Sequence, residues 1–513
     1  MKKLTLILGF LYYSVVINAQ ENNIGYYQDA LRFSQSNYSL GSTARMQAIG
    51  GVSISLGGDI SSAASNPAGL GFFNKSVFTL SPSLNFANVD TDFSVTNTEE
   101  TSSNETFNTN FNFANIGTVI NWNKGRFTND KFKAGSLAIS VNRAANYRLK
   151  RSYEGENNYN SLVDVLATDA GVADSDDLNE YSFAAFDQYL ISPDVDGGEN
   201  IIGYFADYDG FPVQSETIRE EGSHYQVNVA WGGNYDDRLY FGGGMGLQFL
   251  NYHQRKVYNE FDFATFDDDG NFTGSDPRLN NFTLVDDLEI RGTGINFNVG
   301  VIARPVSFMT IGISYTSPSF LSFDEESFID LDANWLSGTT SPEGDDLSVI
   351  DPYQSALFVS DFNLRTPSKL GVGATLFVGK SGFLTGDAEF VNYANATLNS
   401  NDFSVSEDNL AIDEFYRSVI NIRVGGEYRM QNFMLRAGYS VLPSPYENSS
   451  LNEVSNLTFG AGYRTTDYFL DFAVVNSERS MSYSPYFIND EFQPIADSDI
   501  RNTILTATFG LNF

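Results

Sequence analysis

Six charged residues in the carboxy-terminal part of the chain have the types and spacing to form ion pairs or to bind an anionic ligand. Each falls on the polar side of an alternating apolar–polar pattern, which places it on one face of a strand. Guanidinium and carboxylate groups form strong, directional pairs, and an arginine on that face could also receive a ligand carboxylate. We interpret the set as a structural charge network and keep ligand binding by Arg423 or Arg436 as the alternative. The six residues are Asp387, Glu389, Arg423, Glu427, Arg436 and Asp471.

Residues for enzyme or metal chemistry are sparse. The two histidines, His224 and His253, lie within predicted strands and far from any nucleophile motif, and they are a poor basis for haem ligation. No Gly-x-Ser-x-Gly, His-Glu-x-x-His or phosphate-binding loop occurs. Residues 267–271 (DDDGN) resemble part of a calcium loop but lack its bidentate glutamate, so a solvated acidic loop is the better interpretation. We predict that the protein is not an enzyme and has no cofactor and no metal site.

The composition fits an exported membrane β-barrel. The chain of 513 residues contains 43 Phe, 28 Tyr and 44 Gly, yet its mean hydropathy is only -0.22. A barrel exposes apolar residues at alternate positions, so aromatic residues accumulate while the average hydropathy stays low. The formal net charge of -34 argues against nucleic-acid binding, which needs a basic surface, and against a passive anion pore. The lack of cysteine excludes disulfides, thiolate metal sites and a lipid-modified amino terminus.

The last ten residues alternate like a strand with one apolar and one polar face. Leu505, Ala507, Phe509, Leu511 and Phe513 are apolar, whereas the residues between them are small or polar. The same alternation recurs along the chain and predicts about fourteen strands. Their approximate ranges are 76–88, 109–122, 133–149, 222–234, 238–260, 285–304, 306–318, 363–378, 382–395, 417–429, 432–443, 453–464, 467–478 and 500–513.

Short and long connections between these strands alternate. Bacterial outer-membrane barrels have this order because their periplasmic turns are short and their outer loops are long. We therefore predict an all-β fold, a porin-like transmembrane antiparallel β-barrel of a Gram-negative outer membrane. A charge that faces lipid costs roughly 2–4 kcal/mol near the midplane, so the six charged residues should face the lumen. The tight links lie at 234–237, 305, 380–381, 430–431 and 465–466, and the long links at 150–221, 261–284, 319–362, 396–416, 444–452 and 479–499.

The amino-terminal residues predict export and a plug. Lys2 and Lys3 precede an apolar run that is too short to span a bilayer, and Ala19 follows as a small residue for cleavage. We predict a cleaved signal peptide at 1–19, a hatch or plug at 20–75 and the barrel at 76–513. Wall side chains alone cannot fill the lumen of so wide a barrel, and a glycine-rich segment within 20–75 could fold into it. A disordered periplasmic leader is the alternative for that segment.

Several motifs are similar to those of the FadL/TodX family of outer-membrane transporters of hydrophobic compounds. Residues 50–59 (GGVSISLGGD) and then Asn66, Pro67, Ala68, Gly69 and Leu70 resemble the amino-terminal hatch of that family. The resemblance spans essentially the whole chain after the signal peptide and suggests a member of the Bacteroidetes type. It implies a monomeric fourteen-stranded barrel, with these five hatch residues in ligand binding or gating. Weaker resemblances follow in the family's order at 366–373 (TPSKLGVG), 435–439 (LRAGY), 443–446 (PSPY) and 459–463 (FGAGY).

The resemblance also implies that a hydrophobic ligand enters from outside and leaves sideways through the wall. A sideways exit needs a local break in the hydrogen-bonded wall. The third predicted strand offers a candidate, because its alternation stops at Asn142, Arg143 and Asn146. A bulge there would leave backbone groups to be satisfied by the hatch or by water. Passage of the strand into the membrane interface is an equally good explanation.

These observations predict passive uptake of hydrophobic small molecules, such as long-chain fatty acids, across the outer membrane. The alternative is a barrel of the same kind that acts as a binding partner or shuttle in type IX protein secretion. Expected partners are the hydrophobic ligand, outer-membrane lipid and lipopolysaccharide, and the barrel-assembly machinery, whose signature the terminal Phe513 resembles; no nucleic acid is expected. Apolar clusters at 162–166 and 183–190 could capture ligand or, as we favour, pack on each other.

Overall fold

β-Structure dominates the described chain. The computed structural model describes residues 25–35, 41–98, 101–124, 129–198, 200–266, 272–274, 278–341, 344–447, 449–488 and 492–513. The predicted signal peptide at 1–19 and the acidic segment at 267–271 lie outside these residues. Within the described ranges, no helix has the length and apolar character needed to cross a membrane.

The elements follow one another from a short helical amino-terminal part to a long series of strands. The α-helices are α1 (Tyr26–Ser34), α2 (Ala44–Gln47), α3 (Ser62–Ser65), α4 (Leu162–Ala170), α5 (Glu180–Asp187) and α6 (Ser406–Phe415), and 3-10 helices lie at Pro67–Phe72, Ser175–Asp177, Leu347–Val349 and Tyr393–Asn395. The strands are β1 (Val77–Val95), β2 (Thr101–Asn123), β3 (Phe132–Asn146), β4 (Leu149–Glu156), β5 (Ile191–Val195), β6 (Ile201–Ala206), β7 (Phe211–Tyr235), β8 (Leu239–Phe266), β9 (Phe272–Gly274), β10 (Leu279–Val306), β11 (Met309–Thr316), β12 (Phe320–Trp335), β13 (Tyr353–Gln354), β14 (Phe358–Arg365), β15 (Lys369–Val378), β16 (Gly382–Asn392), β17 (Thr397–Ser400), β18 (Ser418–Met430), β19 (Phe433–Leu442), β20 (Val454–Arg464), β21 (Tyr468–Tyr483) and β22 (Pro494–Asn512).

The strands close into one antiparallel barrel of 14 wall positions. Wall strands that follow each other in sequence pair with each other, and β22 pairs back to β1 from Val77 opposite Asn512 to Val95 opposite Pro494. Several wall positions consist of two consecutive segments, namely β3 with β4, β11 with β12, β14 with β15, and β16 with β17. The predicted fold class and strand number are therefore confirmed.

The wall extends further than the sequence predicts. β8 and β10 contain 28 residues each, whereas a tilted membrane strand needs only about 9–11. The links predicted at 150–221 and 319–362 are wrong as uninterrupted loops, because β4, the start of β7, β12 and part of β14 lie inside them. The outward face of β12 carries exposed Asp324 and Glu326, so its sequence looks like an acidic loop although its backbone is paired.

One end of the barrel exposes an apolar band. On β8 the exposed side chains of Met245, Leu247 and Phe249 alternate outward, and Asn251 and Arg255 follow on the same face beyond them. The band thus occupies only the part of each long strand that a membrane barrel needs. Exposed apolar residues at the same level on other strands include Phe297, Val299, Val301, Ile311, Ile313, Leu370, Val372, Ile420, Ile422, Leu435, Phe459, Leu505 and Phe509.

The lumen is filled at three levels. Residues 157–210, which we call the cap, pack through α4 and α5 on one apolar cluster with Trp335 and Phe282 of the wall. The apolar clusters predicted within 150–221 therefore pack on each other and on the barrel, as we favoured. Below the cap, α1 lies in an apolar chamber. Residues 41–75, which we call the hatch, fill the level of the apolar band and lead into β1.

Candidate functional site

The five predicted hatch residues lie together inside the barrel, and all are buried. Asn66 caps the 3-10 helix Pro67–Phe72, because its Oδ1 accepts the N–H of Ala68 at 3.1 Å. Its Nδ2 donates to the carbonyl oxygen of Ile54 at 2.6 Å. Proline at the first position of this helix costs nothing, since the N–H it lacks would have no helical partner. The segment is thus internally fixed, and its role in ligand binding or gating stays a prediction.

Wall glycines let the hatch approach the strands closely. A Cβ at Gly300 of β10 would lie 1.8 Å from Asn66 Oδ1. A Cβ at Gly232 of β7 would lie 2.3 Å from the Pro67 carbonyl oxygen. Both distances are far inside van der Waals contact, so a side chain at either position would displace the hatch. Glycine at these two positions therefore leaves the space in which the hatch packs against the wall.

Asp387, on β16, binds the hatch backbone directly. Its Oδ2 accepts the N–H groups of Ser53 at 2.7 Å and Ile54 at 2.8 Å. Glu389, on the same strand, pairs instead with Arg423 of β18, with Nη2 and Oε1 2.9 Å apart. Three of the six predicted charged residues thus lie on one side of the hatch, and Asp387 binds its backbone.

The other three predicted residues form one buried series of ion pairs. Arg436 donates through Nε to Glu427 Oε2 at 2.7 Å and through Nη1 to Asp471 Oδ1 at 2.6 Å. All three side chains are at most 1% exposed. Arg45 of the hatch places its Nε 3.7 Å from the same Glu427 oxygen and its Nη1 4.0 Å from Asp59. The charge series therefore continues from the wall into the hatch.

A small cavity lies between the hatch and the first charge group. Its volume is about 40 Å³, and Lys369, Glu389, Arg423 and Ser53 contribute to its lining. A buried water needs at least about 10–15 Å³, so this space suits a few waters and not an acyl chain. The geometry therefore favours a structural role for Arg423 over reception of a ligand carboxylate.

The apolar chamber above the hatch contains α1. Phe33 of α1 packs against Phe323, with ring centroids 4.9 Å apart, and Tyr26 packs against Phe362 at 5.2 Å. The Tyr26 hydroxyl donates to Glu325 Oε1 at 2.9 Å. α1 and the wall thus form one packed apolar, aromatic-rich cluster inside the barrel, which is what we call the chamber. Its aliphatic lining consists of Leu250, Leu288, Ile290, Leu321, Leu364, Val391 and Leu398.

The wall has a gap between β2 and the segment pair β3–β4. β2 pairs with β3 only from Asn115 opposite Asn142 to Asn123 opposite Ala134, although it pairs with β1 along nearly its whole length. Among the described residues, the part of β2 before Asn115 has no strand partner on the β4 side. Side chains cross the gap instead, as where Thr106 Oγ1 donates to the Lys150 carbonyl oxygen at 3.0 Å. We call this feature the β2–β4 gap.

The residues predicted as a lateral opening lie at the lower edge of the β2–β4 gap. The register of β3 against β7 shifts directly after Arg143, at the place where the sequence predicts a bulge. Asn142 Nδ2 donates to the carbonyl oxygen of hatch residue Gly41 at 2.9 Å. Asn146 Oδ1 accepts from Arg143 Nη2 at 2.5 Å. The hatch thus contacts the bulge, and passage of ligand through the gap stays a prediction.

Buried amides line the lumen beside the hatch. Asn228 Nδ2 donates to Asn142 Oδ1 at 3.2 Å, and Gln226 Nε2 donates to Asn228 Oδ1 at 2.5 Å. His224 joins this polar layer through a 3.1 Å contact with Gln248. No group of three or more histidine, aspartate or glutamate residues is placed to hold a metal ion in the described part of the chain. The way down from the chamber is therefore polar as well as closed by the hatch.

Sequence reasoning missed the hatch side of the charge series and the occupant of the chamber. Arg45 and Asp59 carry the series into the hatch, and the only signal was that Asp59 follows two glycines. Helix α1 has an apolar face of Tyr26, Ala30 and Phe33, which are buried in the chamber. That helical periodicity was the signal that could have identified it.

Solved structures share this fold. One is a FadL homologue from Pseudomonas aeruginosa, with 13% identity, coverage of 92% of this chain and 98% of that chain, and a TM-score of 0.50. Another is the TodX monoaromatic hydrocarbon channel deltaS2 mutant, with 11% identity, coverage of 93% and 99%, and a TM-score of 0.50. At these identities the likeness shows a FadL-type fold alone. No protein-family model and no curated protein matches the chain.

Proposed function

We propose that this protein is an outer-membrane channel, and not an enzyme, for passive uptake of hydrophobic small molecules. The observation that carries the proposal is the apolar chamber above a closed, polar hatch level. Two solved structures of this fold, a FadL homologue and a monoaromatic hydrocarbon channel, support it. Long-chain fatty acids are the ligand class that we propose for this chain.

The exit that we propose is sideways through the β2–β4 gap. Each CH₂ that leaves water for an apolar site gains about 0.8 kcal/mol, so a hydrophobic solute is stable in the chamber. Further movement toward the periplasm would return it to the amide layer and the hatch. Among the described residues the gap has no strand ladder to break, and it lies beside the exposed Phe111 and Phe113 of β2.

The cellular setting follows from the same proposal. On β8 the outward apolar residues run from Leu239 to Phe249, close to the roughly 9–11 residues that a membrane strand needs. We therefore propose that the apolar band lies in the outer membrane of a Gram-negative, Bacteroidetes-type cell, in contact with lipid and lipopolysaccharide. We further propose export by the signal peptide at 1–19, a hatch domain extending over 20–75, insertion by the barrel-assembly machinery, and a monomer.

A crosslink across the β2–β4 gap tests the exit. The natural chain has no cysteine, and the side chains of Asn110 and Asn146 meet across the gap at 3.2 Å. Asn110→Cys with Asn146→Cys, joined by a short bis-methanethiosulfonate reagent that forms a disulfide with each thiol and releases methanesulfinate, should reduce cellular uptake of a labelled long-chain fatty acid at least about tenfold, since the gap can no longer widen. The matched control is Asn281→Cys with Asn334→Cys, which joins β10 and β12 where they already pair and where the two side chains also meet, at 3.0 Å.

Three outcomes separate the possibilities. Loss of uptake in the crosslinked gap variant alone supports the sideways exit, provided that uptake returns when the crosslinking disulfides are reduced. Equal uptake in both crosslinked proteins contradicts that exit. Unchanged uptake of every hydrophobic solute in cells that lack the protein contradicts the channel function as a whole.

A second candidate function is that of a binding partner or shuttle in type IX secretion. The observation that favours it is that α1 fills part of the chamber, so the chain's own segments fill the barrel at three levels. Affinity purification from the native membrane separates the two functions. Co-purification of secretion components with a lumen free of extractable lipid supports the shuttle, and lipid in the lumen without such components supports the channel.

A further inference from the structure

Three neighbouring wall positions are interrupted at the same height, in a part of the wall away from the β2–β4 gap. Residues 317–319 separate β11 from β12, residues 366–368 separate β14 from β15, and residues 393–396 separate β16 from β17. Pro318 and Pro367 lie in the first two breaks, and proline cannot donate to a strand ladder. Between the second and third positions, pairing stops at Arg365 opposite Thr397 and resumes at Lys369 opposite Val391.

The interruptions leave a cleft of about 360 Å³ on the wall, which we call the proline cleft. Its volume lies within the range of small-ligand sites, about 300–1,000 Å³. Arg365, Asn395 and Thr397 are exposed at its mouth, and Thr366 and Pro367 form its buried side. Apart from the prolines and one alanine, the lining side chains carry hydrogen-bond donors. The cleft is therefore shaped for a polar group and not for an acyl chain.

Arg365 is an uncompensated cation at this mouth. It forms no ion pair with any of the described residues, although the chain has a formal net charge of -34. Other exposed arginines of the wall have carboxylate partners, as Arg255 has in Asp287 at 3.0 Å and Arg291 in Glu289 at 2.8 Å. A guanidinium with hydroxyl and amide donors around it is a typical site for phosphate oxygens.

The height of the proline cleft indicates which anion it meets. Tyr315, Leu370 and Phe390, just below it on the outward face, are 43%, 47% and 46% exposed and belong to the apolar band. Asn363 and Asn399, just above it on the same face, are exposed and polar. The cleft thus lies at the boundary where lipid headgroups meet hydrocarbon.

We infer that the proline cleft binds the phosphorylated headgroup of an outer-leaflet lipid, with the hydrocarbon along Tyr315, Leu370 and Phe390. Arg365 supplies the charge, and Ser368, Asn395 and Thr397 supply further donors to the phosphate oxygens. The inference rests on the proposed membrane placement but not on transport, because lipid binding can be measured on purified protein without any uptake.

Native mass spectrometry of the full-length barrel in detergent tests this inference. The probe is dioleoyl phosphatidic acid, and the control lipid is the zwitterionic dioleoyl phosphatidylcholine. Arg365→Gln should weaken phosphatidic acid binding about tenfold, the loss expected for one charge-assisted contact. Arg365→Lys should retain most of the binding, and Arg291→Gln, which removes an exposed arginine elsewhere, should leave it unchanged. Heat-dependent gel mobility confirms that each variant is folded.

The outcomes that overturn the inference are distinct. Equal binding of phosphatidic acid by the natural protein and Arg365→Gln, or equal loss in Arg291→Gln, overturns the site. Equal binding of phosphatidylcholine, which also has a phosphate but no net charge, overturns the requirement for an anionic headgroup. Displacement of phosphatidic acid by equimolar inorganic phosphate identifies a site for the free anion and overturns the lipid source. Unchanged uptake of hydrophobic solutes in cells that lack the protein, together with Arg365-dependent binding of phosphatidic acid, contradicts the channel and leaves this inference intact, so the two proposals fail separately.

Discussion

Arg436 illustrates, at the scale of one residue, why the polar face of a barrel strand can carry charge. Its guanidinium lies between Glu427 and Asp471, with all three side chains sealed from solvent. A buried pair adds little over an apolar core, but removal of one partner leaves an uncompensated charge. The predicted structural role of this network is therefore a role in keeping barrel and hatch in one arrangement.

Removal of Arg436 gives the first test at this scale. Arg436→Met should lower the free energy of unfolding by about 3–5 kcal/mol, because the buried Asp471 keeps only Arg464 at 3.8 Å as a cation, whereas Glu427 keeps Arg429 at 2.6 Å. Urea titration in phospholipid vesicles, followed by gel mobility, measures the change. Arg501→Gln is the control, since Arg501 is 61% exposed in its pair with Asp90, and such pairs contribute about 0–1 kcal/mol. Similar losses in both variants would contradict the assigned role.

Gly300 gives the second test. Gly300→Ala should unseat the hatch, because its Cβ would lie 1.8 Å from Asn66 Oδ1. The expected result is faster proteolysis within residues 41–75 in an otherwise folded barrel. Gly243→Ala is the matched control on the next strand, where the nearest atom would be 3.6 Å from the new Cβ. Unchanged proteolysis of Gly300→Ala would show that the hatch does not depend on this contact.

At the scale of elements, α1 competes for the space that a ligand would need. Its Phe33 and Tyr26 occupy aromatic-lined positions of the chamber, and the gap in the wall opens beside the hatch. A ligand must therefore share the chamber with α1 or displace it. This arrangement makes the strength of α1 docking a determinant of ligand binding.

Truncation of Phe33 tests that relation. Phe33→Ala should weaken α1 docking by about 3–5 kcal/mol, the usual cost of a buried Phe→Ala change, and should increase binding of a fluorescent fatty acid by purified protein. Phe487→Ala, at a side chain that is 79% exposed, should leave binding unchanged. Weaker binding in Phe33→Ala would instead show that Phe33 forms part of the ligand site.

At the scale of the whole molecule, the cap and the upper wall form one apolar unit that closes one end of the barrel. Glu260 lies in this unit, on the part of β8 well beyond the apolar band, and fixes the start of α4. Its Oε1 accepts the N–H of Leu162 at 2.9 Å, and its Oε2 accepts the Ser161 hydroxyl at 2.5 Å. Burial raises the pKa of the Glu260 carboxyl to about 7, although hydrogen bonds from Ser161 and Tyr258 act in the opposite direction.

The cap should therefore be more stable in acid than at neutral pH. Because the folded pKa of Glu260 lies above its ordinary 4.5, the folded state binds the proton more tightly; this stability is complete below about pH 4.5 and is lost as the pH rises through about 7. Hydrogen-exchange protection of α4 should be higher at pH 5 than at pH 8. Glu260→Gln should abolish the difference, and Glu154→Gln, at an exposed wall residue, should preserve it.

Alternation within single strands is enough to predict the fold class, the strand number and the inward direction of the six charged residues, and its interruption allows a bulge after Arg143 as one of two explanations. All of these follow from alternation with period two or its interruption, which neighbouring residues encode. The family resemblance added the hatch motif that begins at Asn66. These features are local, so one strand's own residues suffice to reveal them.

The position of the opening in the wall, the segments that fill the lumen and the length of the strands can be read only from the folded barrel. The β2–β4 gap depends on the pairing of β2 with one neighbour and not the other, which neither strand encodes alone. The proline cleft depends on three separate breaks that reach the same height only after the barrel closes. Contacts between distant residues set these properties, whereas the period of a strand is set by its own backbone.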